Sequence, residues 1–388
     1  MRIKTLSKTV CMAMLFASTS TLTLAQSLTI GMATAQTGWL ASYDGPVVEG
    51  IKIAIDEINA KGGIGGKIMI KTIAKDVRSD AAQTSIAVQE LVDDNVSVIF
   101  LPCDADPAFA AAAIVDDAKI PAFSTCASSP TLPLMGGDYM FANFPGDNVQ
   151  SAVSGKWAYD QGHRTAYLLY SPESQYTTLP LYFGDVIEQL GGQVIGKATY
   201  KLDQQDFSAE VTKIKAISPQ PDVIMTAAYE PNFPAFIKQL RSAGVTSQVI
   251  GSDGIDSPTT FSLGKASEGV VFTTAGHATP GSELEKFNAL YKAKTGNDSD
   301  TVFNAIGYDL IKVIEAAVLA ANSTDSVKLR DAIAELENVR GATSLITYKG
   351  TSGMPIREVS LVRVNNGERE LVGQPAPDAN LVPEPRLQ

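Results

Sequence analysis

The stretch that decides the fold lies within residues 27–76. "SLTIGMAT" (27–34) reads as a strand. "PVVEGIKIAIDEINAKGG" (46–63) spaces its apolar residues near every 3.6 positions and closes on glycine, the pattern of an amphipathic helix with its C-terminal cap. "KIMIKTIAKD" (67–76) is a second strand. A strand–helix–strand unit of this kind packs into a parallel sheet whose faces are covered by helices.

Working outward, the alternation continues. "AAQTSIAVQELVDD" (81–94) is a helix, "VSVIFLP" (96–102) a strand, "PAFAAAAIVDDA" (107–118) a helix and "IPAFST" (120–125) a strand. A second series follows "MFANFPGDN" (140–148), with strands at "HRTAYLLYS", "GGQVIGKATY", "PDVIMTAAY" and "QVIGSDG". Two such series predict two α/β lobes. From Ser282 three helices follow, then short strands with an Asn366-Gly367 turn. The last residues, 373–388, are proline-rich and aperiodic, the composition of a flexible tail.

The N-terminus has a different logic. Arg2, Lys4 and Lys8 precede an apolar stretch ending in Thr23-Leu24-Ala25. This is the pattern of a secretory signal peptide over residues 1–25, cleaved near Ala25. Removing its three basic residues from 31 Lys and Arg, against 42 Asp and Glu, leaves a net charge near −14. Such a surface repels nucleic acid and anionic membranes, and no later segment is long and apolar enough to span a bilayer. Two cysteines remain, Cys103 and Cys126. In an oxidising compartment they can form one disulfide; two buried thiols are the alternative.

Catalytic and metal chemistry finds little support. His163 and His277 have no ligand-spaced partner, so no metal or other cofactor is expected. "KGGIGGK" (61–67) runs from a helix end into a strand, the reverse of a phosphate loop, and reads as a cap and turn. No G-x-S-x-G elbow occurs, and the chain is not expected to be an enzyme. Open parallel sheets hold ligands beyond the carboxyl ends of their strands. That places Cys103, Asp104 and Asp106, the 125–128 segment, Tyr229 with Glu230, and Ser252 with Asp253 at candidate positions.

The order of "LTIGMATAQTGWLASYDGPVVEGIKIAIDEINAKGGIGGK", "VIFLPCDADP", "IPAFSTCASS", "SPESQY", "DVIMTAAYEPNFPAFIKQLRSAGV", "IGSDG" and "NAIGYDLIKVIEAA" resembles the periplasmic solute-binding proteins of ABC transporters. Within them it is similar to the leucine/isoleucine/valine-binding type, a type I periplasmic binding protein. The resemblance implies an α/β fold of two doubly wound parallel-sheet lobes joined by a three-crossing hinge. Lobe 1 would hold residues 26–144 and 253–347, lobe 2 residues 145–252 and 348–372, with crossings near Phe144, Ser252 and Tyr348. It also implies a monomer that delivers a small solute, by default an aliphatic amino acid, to a membrane permease. A sensory module for a chemoreceptor or kinase is the alternative.

Site residues follow from the same resemblance. Tyr43 matches a first-lobe aromatic on the ligand side chain. Cys126 and Ser128 match a carbonyl for the ligand amine and a hydroxyl and amide for its carboxylate. Tyr176 and Tyr229 match second-lobe aromatics that close over the ligand, or pack at the interface. Asp253 matches the partner of the ligand ammonium, or caps a turn with Gly254. Where the family holds the ligand carboxylate with a serine, this chain has Asp104, which either faces the ligand or caps the following helix; Asp106 is the better placed N-cap. If Asp104, Glu230 and Asp253 all reach the crevice, it favours an amine, a short amide or a urea-like solute over a zwitterion, and disfavours aromatic acids. The family's usual partner for Cys103 is missing, which leaves Cys126 on the neighbouring strand as its candidate disulfide partner.

Overall fold

The computed structural model describes residues 27–386; the leader assigned to residues 1–25 lies outside them. The first sheet contains β1 (Ser27–Thr34), β2 (Met69–Asp76), β3 (Val98–Leu101), β4 (Ala122–Ser124) and β5 (Met140–Ala142). All are parallel, in the order β2-β1-β3-β4-β5. Val98, Ile99, Phe100 and Leu101 are buried on both faces, as a central strand between two helical layers requires.

The second sheet begins with β6 (Thr165–Tyr170), β7 (Gln193–Thr199), β8 (Val223–Thr226), β9 (Gln248–Gly251) and β10 (Val271–Thr274), parallel in the order β7-β6-β8-β9-β10. Both lobes therefore repeat one winding pattern, with the order reversing between the first and third strand of each. β11 (Val339–Arg340) and β12 (Leu345–Ile346) form a small separate ribbon. β13 (Ser360–Asn365) and β14 (Glu368–Gly373) add an antiparallel edge beside β10, so the second sheet is mixed. Their turn has Asn366 and Gly367 both at positive φ, 53° and 77°, as a two-residue hairpin of that sequence demands.

The helices Ala41–Ala60 and Phe303–Ala321 cross at close range on the first lobe. Gly50 and Gly307 permit this: a Cβ on Gly50 would lie 1.7 Å from the Asn304 carbonyl oxygen, and one on Gly307 1.9 Å from that of Val47.

The expected lobe boundaries need correction at two crossings. Residues 253–274 belong to the second lobe, because β10 pairs with β9 and β13. The second crossing therefore falls after Thr274, not near Ser252. Tyr348 remains on the first lobe: its ring packs edge-on against Phe123 and Phe141, and its hydroxyl donates to the Ala142 carbonyl at 2.7 Å. The third crossing lies beyond it, at Arg357. There a wholly buried guanidinium pairs with Asp309 and donates to Asn143 of the first crossing. The first crossing follows β5, where Phe144 is buried.

The C-terminal segment is not free. Leu381 is buried against Ala152 and Val186. Asn148 donates to the Pro383 carbonyl at 2.9 Å, and Arg386 pairs with Asp185. One buried leucine and a few polar anchors suffice to dock a segment whose composition alone suggests none.

Candidate functional site

Both points where strand order reverses open toward one cleft between the lobes, the place where doubly wound sheets leave room for a ligand. Its empty volume is about 420 Å³. Trp39, Leu40, Tyr43, Cys103, Asp104, Ala105, Cys126, Ala127, Ser128, Ser129 and Phe303 line it from the first lobe; Tyr176, Tyr229, Asp253 and Gly254 line it from the second.

Bonds between segments distant in sequence hold the cleft-lining loops. Asp44, fully buried in the first turn of its helix, accepts from the backbone N–H of Ala35 at 2.5 Å and of Cys103 at 2.8 Å. It thereby ties the ends of β1 and β3 together at the cleft floor. Ser124 donates to the Pro102 carbonyl at 2.7 Å and accepts from the Ala127 N–H at 3.2 Å, shaping the 124–128 turn. Cys103 and Cys126 are joined as a disulfide, with Cα atoms 4.5 Å apart on the neighbouring ends of β3 and β4.

The aromatic residues form a continuous wall across both lobes. Tyr229 meets Trp39 in a stack at 5.5 Å, Tyr43 edge-on at 6.3 Å, and Tyr176 at 5.8 Å; Phe303 backs Tyr43 at 5.7 Å. Polar bonds also cross the cleft. Tyr43 donates to the Gly254 carbonyl at 3.1 Å. Gln175 accepts from the Thr131 hydroxyl at 2.6 Å, and its N–H donates to Asp106 at 3.3 Å. The lobes are thus closed on one another.

The acids are distributed unevenly. Asp104 lines the cleft and is also the N-cap of the short helix Ala105–Phe109, accepting from the Asp106 N–H at 3.0 Å. The cap is therefore Asp104; Asp106 is the second residue of the helix, in its first turn, and accepts from Gln175 of the second lobe. Asp253 lines the cleft with Oδ1 buried and without a hydrogen-bond partner, as is Ser128 Oγ. Burial pushes the carboxyls of Asp44, Asp104 and Asp253 up to about 7. Asp147, buried at the start of its helix behind Ser128, is raised further by burial and by the charges of Asp253 and Asp104.

Glu230 does not join them. It accepts from the Ser257 hydroxyl at 2.5 Å and faces a neighbouring cavity with Asp256 and Asp300. Glu230 lies in the turn that precedes the helix Asn232–Ser242, where the Ser257 hydroxyl holds it away from the cleft that Tyr229 lines. The structure thus brings together Tyr43, Asp104, Cys126, Ser128, Tyr176, Tyr229 and Asp253, and excludes Glu230. Sequence reasoning passed over Trp39, Phe303, Ser129 and Asp147. Trp39, four residues before Tyr43 in "TGWLAS", was legible as a second aromatic; Asp147 gave the signal of an acid just after the apolar "MFANFPG".

Among the described residues no cluster of His, Cys, Asp and Glu could hold a metal ion, and no helix is long and apolar enough to cross a membrane.

Comparison with known proteins gives the same family. The Leu/Ile/Val-binding protein BraC3 of Rhizobium johnstonii is 25% identical over 373 residues, covering 95% of this chain and 99% of the relative. The leucine-binding protein LivK of Thermotoga maritima superposes with a TM-score of 0.82 at 27% identity, covering 90% of this chain and 99% of that one. An ABC-transporter solute-binding protein of R. palustris, solved in complex with 4-hydroxybenzoate, shares the fold at a TM-score of 0.81 and 20% identity, covering 92% and 100%. The periplasmic binding protein model matches residues 27–369. With its two wound lobes closed over a shared cleft, the chain belongs to the periplasmic binding protein family.

Proposed function

We propose that the mature protein works in the periplasm, after removal of its leader near Ala25, as a monomeric receptor that captures a small ammonium- or amide-bearing solute and presents it to an ABC permease. The observation that carries this reading is Asp253: a buried carboxyl facing the cleft with one oxygen unpartnered. A buried acceptor without a partner costs free energy until a donor arrives, and the ligand supplies it. Tyr43, Tyr176, Tyr229, Trp39 and Phe303 supply apolar contact on several sides, which favours a compact hydrocarbon body. Cys126 and Ser128 offer a backbone carbonyl and a hydroxyl beside it. Delivery to a permease is supported by the family and by the ABC-transporter neighbour.

The test is thermal unfolding of protein stripped of ligand by unfolding and refolding. Amino acids, their amides and the corresponding amines are added separately. A ligand at about 100 times its Kd should stabilise the native state by about 2.7 kcal/mol. Asp253→Asn should lose most of that shift. Absence of a shift with every ammonium- or amide-bearing solute would overturn the reading.

A further inference from the structure

We infer that the cleft selects nitrogenous solutes that lack a carboxylate, and that Asp104 is the residue that rejects an α-carboxylate. The inference rests on the reading of the cleft given above and specifies the ligand of that same site.

Asp104 enters the cleft from the carboxyl end of β3 and Asp253 from the carboxyl end of β9, so one acid comes from each lobe. A solute held between the lobes meets both. An α-amino acid can satisfy one acid with its ammonium, but its carboxylate must then lie in the same enclosed space as the other. Like charges repel more strongly where closure lowers the effective dielectric, so the rejection applies above about pH 7, where Asp104 is ionised, and the binding test is run at about pH 8.5.

A cation that could offset this is missing from the lining, which contains no Lys, Arg or His. Arg357, Arg369 and Arg386 are each paired with an acid outside that lining, Asp309, Asp256 and Asp185. Asp147, behind Ser128, adds a further buried acid beside the cleft.

The unsatisfied groups ask for donors. Asp253 Oδ1 can only accept while it is ionised, and Ser128 Oγ can accept as well. Tyr43, Tyr176 and Tyr229 line the same cleft, and an aromatic ring attracts a cation placed over its face. Asp104 is held in place by its own helix cap, so it cannot swing aside without leaving the Asp106 N–H unpaired. An amine or amidine meets all of these requirements, and a neutral amide meets them without bringing a charge of the wrong sign.

The experiment uses three ligands of one skeleton: leucine, leucinamide and 3-methylbutylamine. Each is titrated calorimetrically into the ligand-free mature protein and into Asp104→Asn, which keeps the capping oxygen. In the native protein, leucinamide or 3-methylbutylamine should bind at least about tenfold tighter than leucine. Asp104→Asn should narrow that ratio by admitting leucine. Leucine binding the native protein as tightly as the other two, or a ratio unchanged in Asp104→Asn, would overturn the assignment while leaving solute capture intact. Failure of all three to bind would overturn the capture reading as well.

Discussion

Trp39 of the first lobe stacks on Tyr229 of the second, with ring centroids 5.5 Å apart and planes 22° from parallel. The contact exists only while the lobes are closed, and Trp39 remains half exposed beside the cleft mouth. It is therefore both a latch and a reporter. In a Trp157→Phe background, the fluorescence of Trp39 should change on ligand addition with the same midpoint as calorimetric binding. Trp39→Ala should weaken binding by roughly three- to tenfold, the worth of one aromatic pair. Unchanged affinity would show that the stack contributes nothing to closure.

The closed cleft should respond to pH. Burial raises Asp104 and Asp253 to about 7, above their unfolded value near 4. Between those values the native state holds protons that the unfolded chain releases, so the contribution of these two acids to stability is fully present below pH 4 and is lost as pH rises through 7. The neighbouring acids Asp44 and Asp147 act in the same direction. The ligand-free protein should show a falling Tm from pH 4.5 to 7.5, with a shallower fall in Asp253→Asn. Affinity for a monoamine should rise over the same window, as the acids ionise. A flat Tm profile would contradict this account.

Arg357 and Asp309 form a fully buried pair where the first and third crossings meet. Removing one partner strands the other charge, at a cost of roughly 3–5 kcal/mol. Arg357→Met should lower the urea midpoint sharply, and the double variant with Asp309→Asn should recover part of the loss. A double variant no better than the single one would mean that the hydrogen bonds to Asn143 and Thr343, rather than the charge, dominate.

The disulfide between Cys103 and Cys126 should stabilise the protein by about 3 kcal/mol, through the 23-residue loop it closes. The unfolded mature chain should show no thiol until reductant is added. Reductant should then lower Tm, and the Cys103→Ala/Cys126→Ala variant should match the reduced protein.

Ending the chain at Gly373 should also destabilise it, since the removed segment carries buried Leu381 and the Arg386 pair with Asp185. Burial of one leucine side chain suggests a loss of about 2 kcal/mol. An unchanged Tm would show that the segment only rests on the second lobe.

What could be read from residues alone follows a periodic rule or a short local code. The alternation of strand and helix exposed two wound lobes because burial on two faces leaves an uninterrupted apolar run. Asn366-Gly367 announced its hairpin because few residue pairs tolerate two positive φ values. Ser128, Tyr229 and Asp253 were legible because they follow strand ends, where this architecture places ligands; Tyr43, in the helix Ala41–Ala60, and Tyr176, in a short turn, were legible only through the resemblance of "TGWLASY" and "SPESQY" to the family. Other features depend on contacts distant in sequence. β10 is four residues long and becomes a strand by pairing with β9 and β13, which moves residues 253–274 to the second lobe. The tail is anchored by partners about 200 residues away.

Hydrophobic period alone was enough for the two lobes, and the resemblance of short motifs supplied the family and the expectation of an acidic cleft walled by aromatic residues. Which acids line the cleft depends on contacts between elements distant in sequence. Asp104 and Asp253 point in, Glu230 turns to Ser257, and Asp147 joins from behind. The direction of a side chain at a strand end is set by the partner that packs or bonds against it, and those partners lie on other elements, brought near only when the lobes assemble and close.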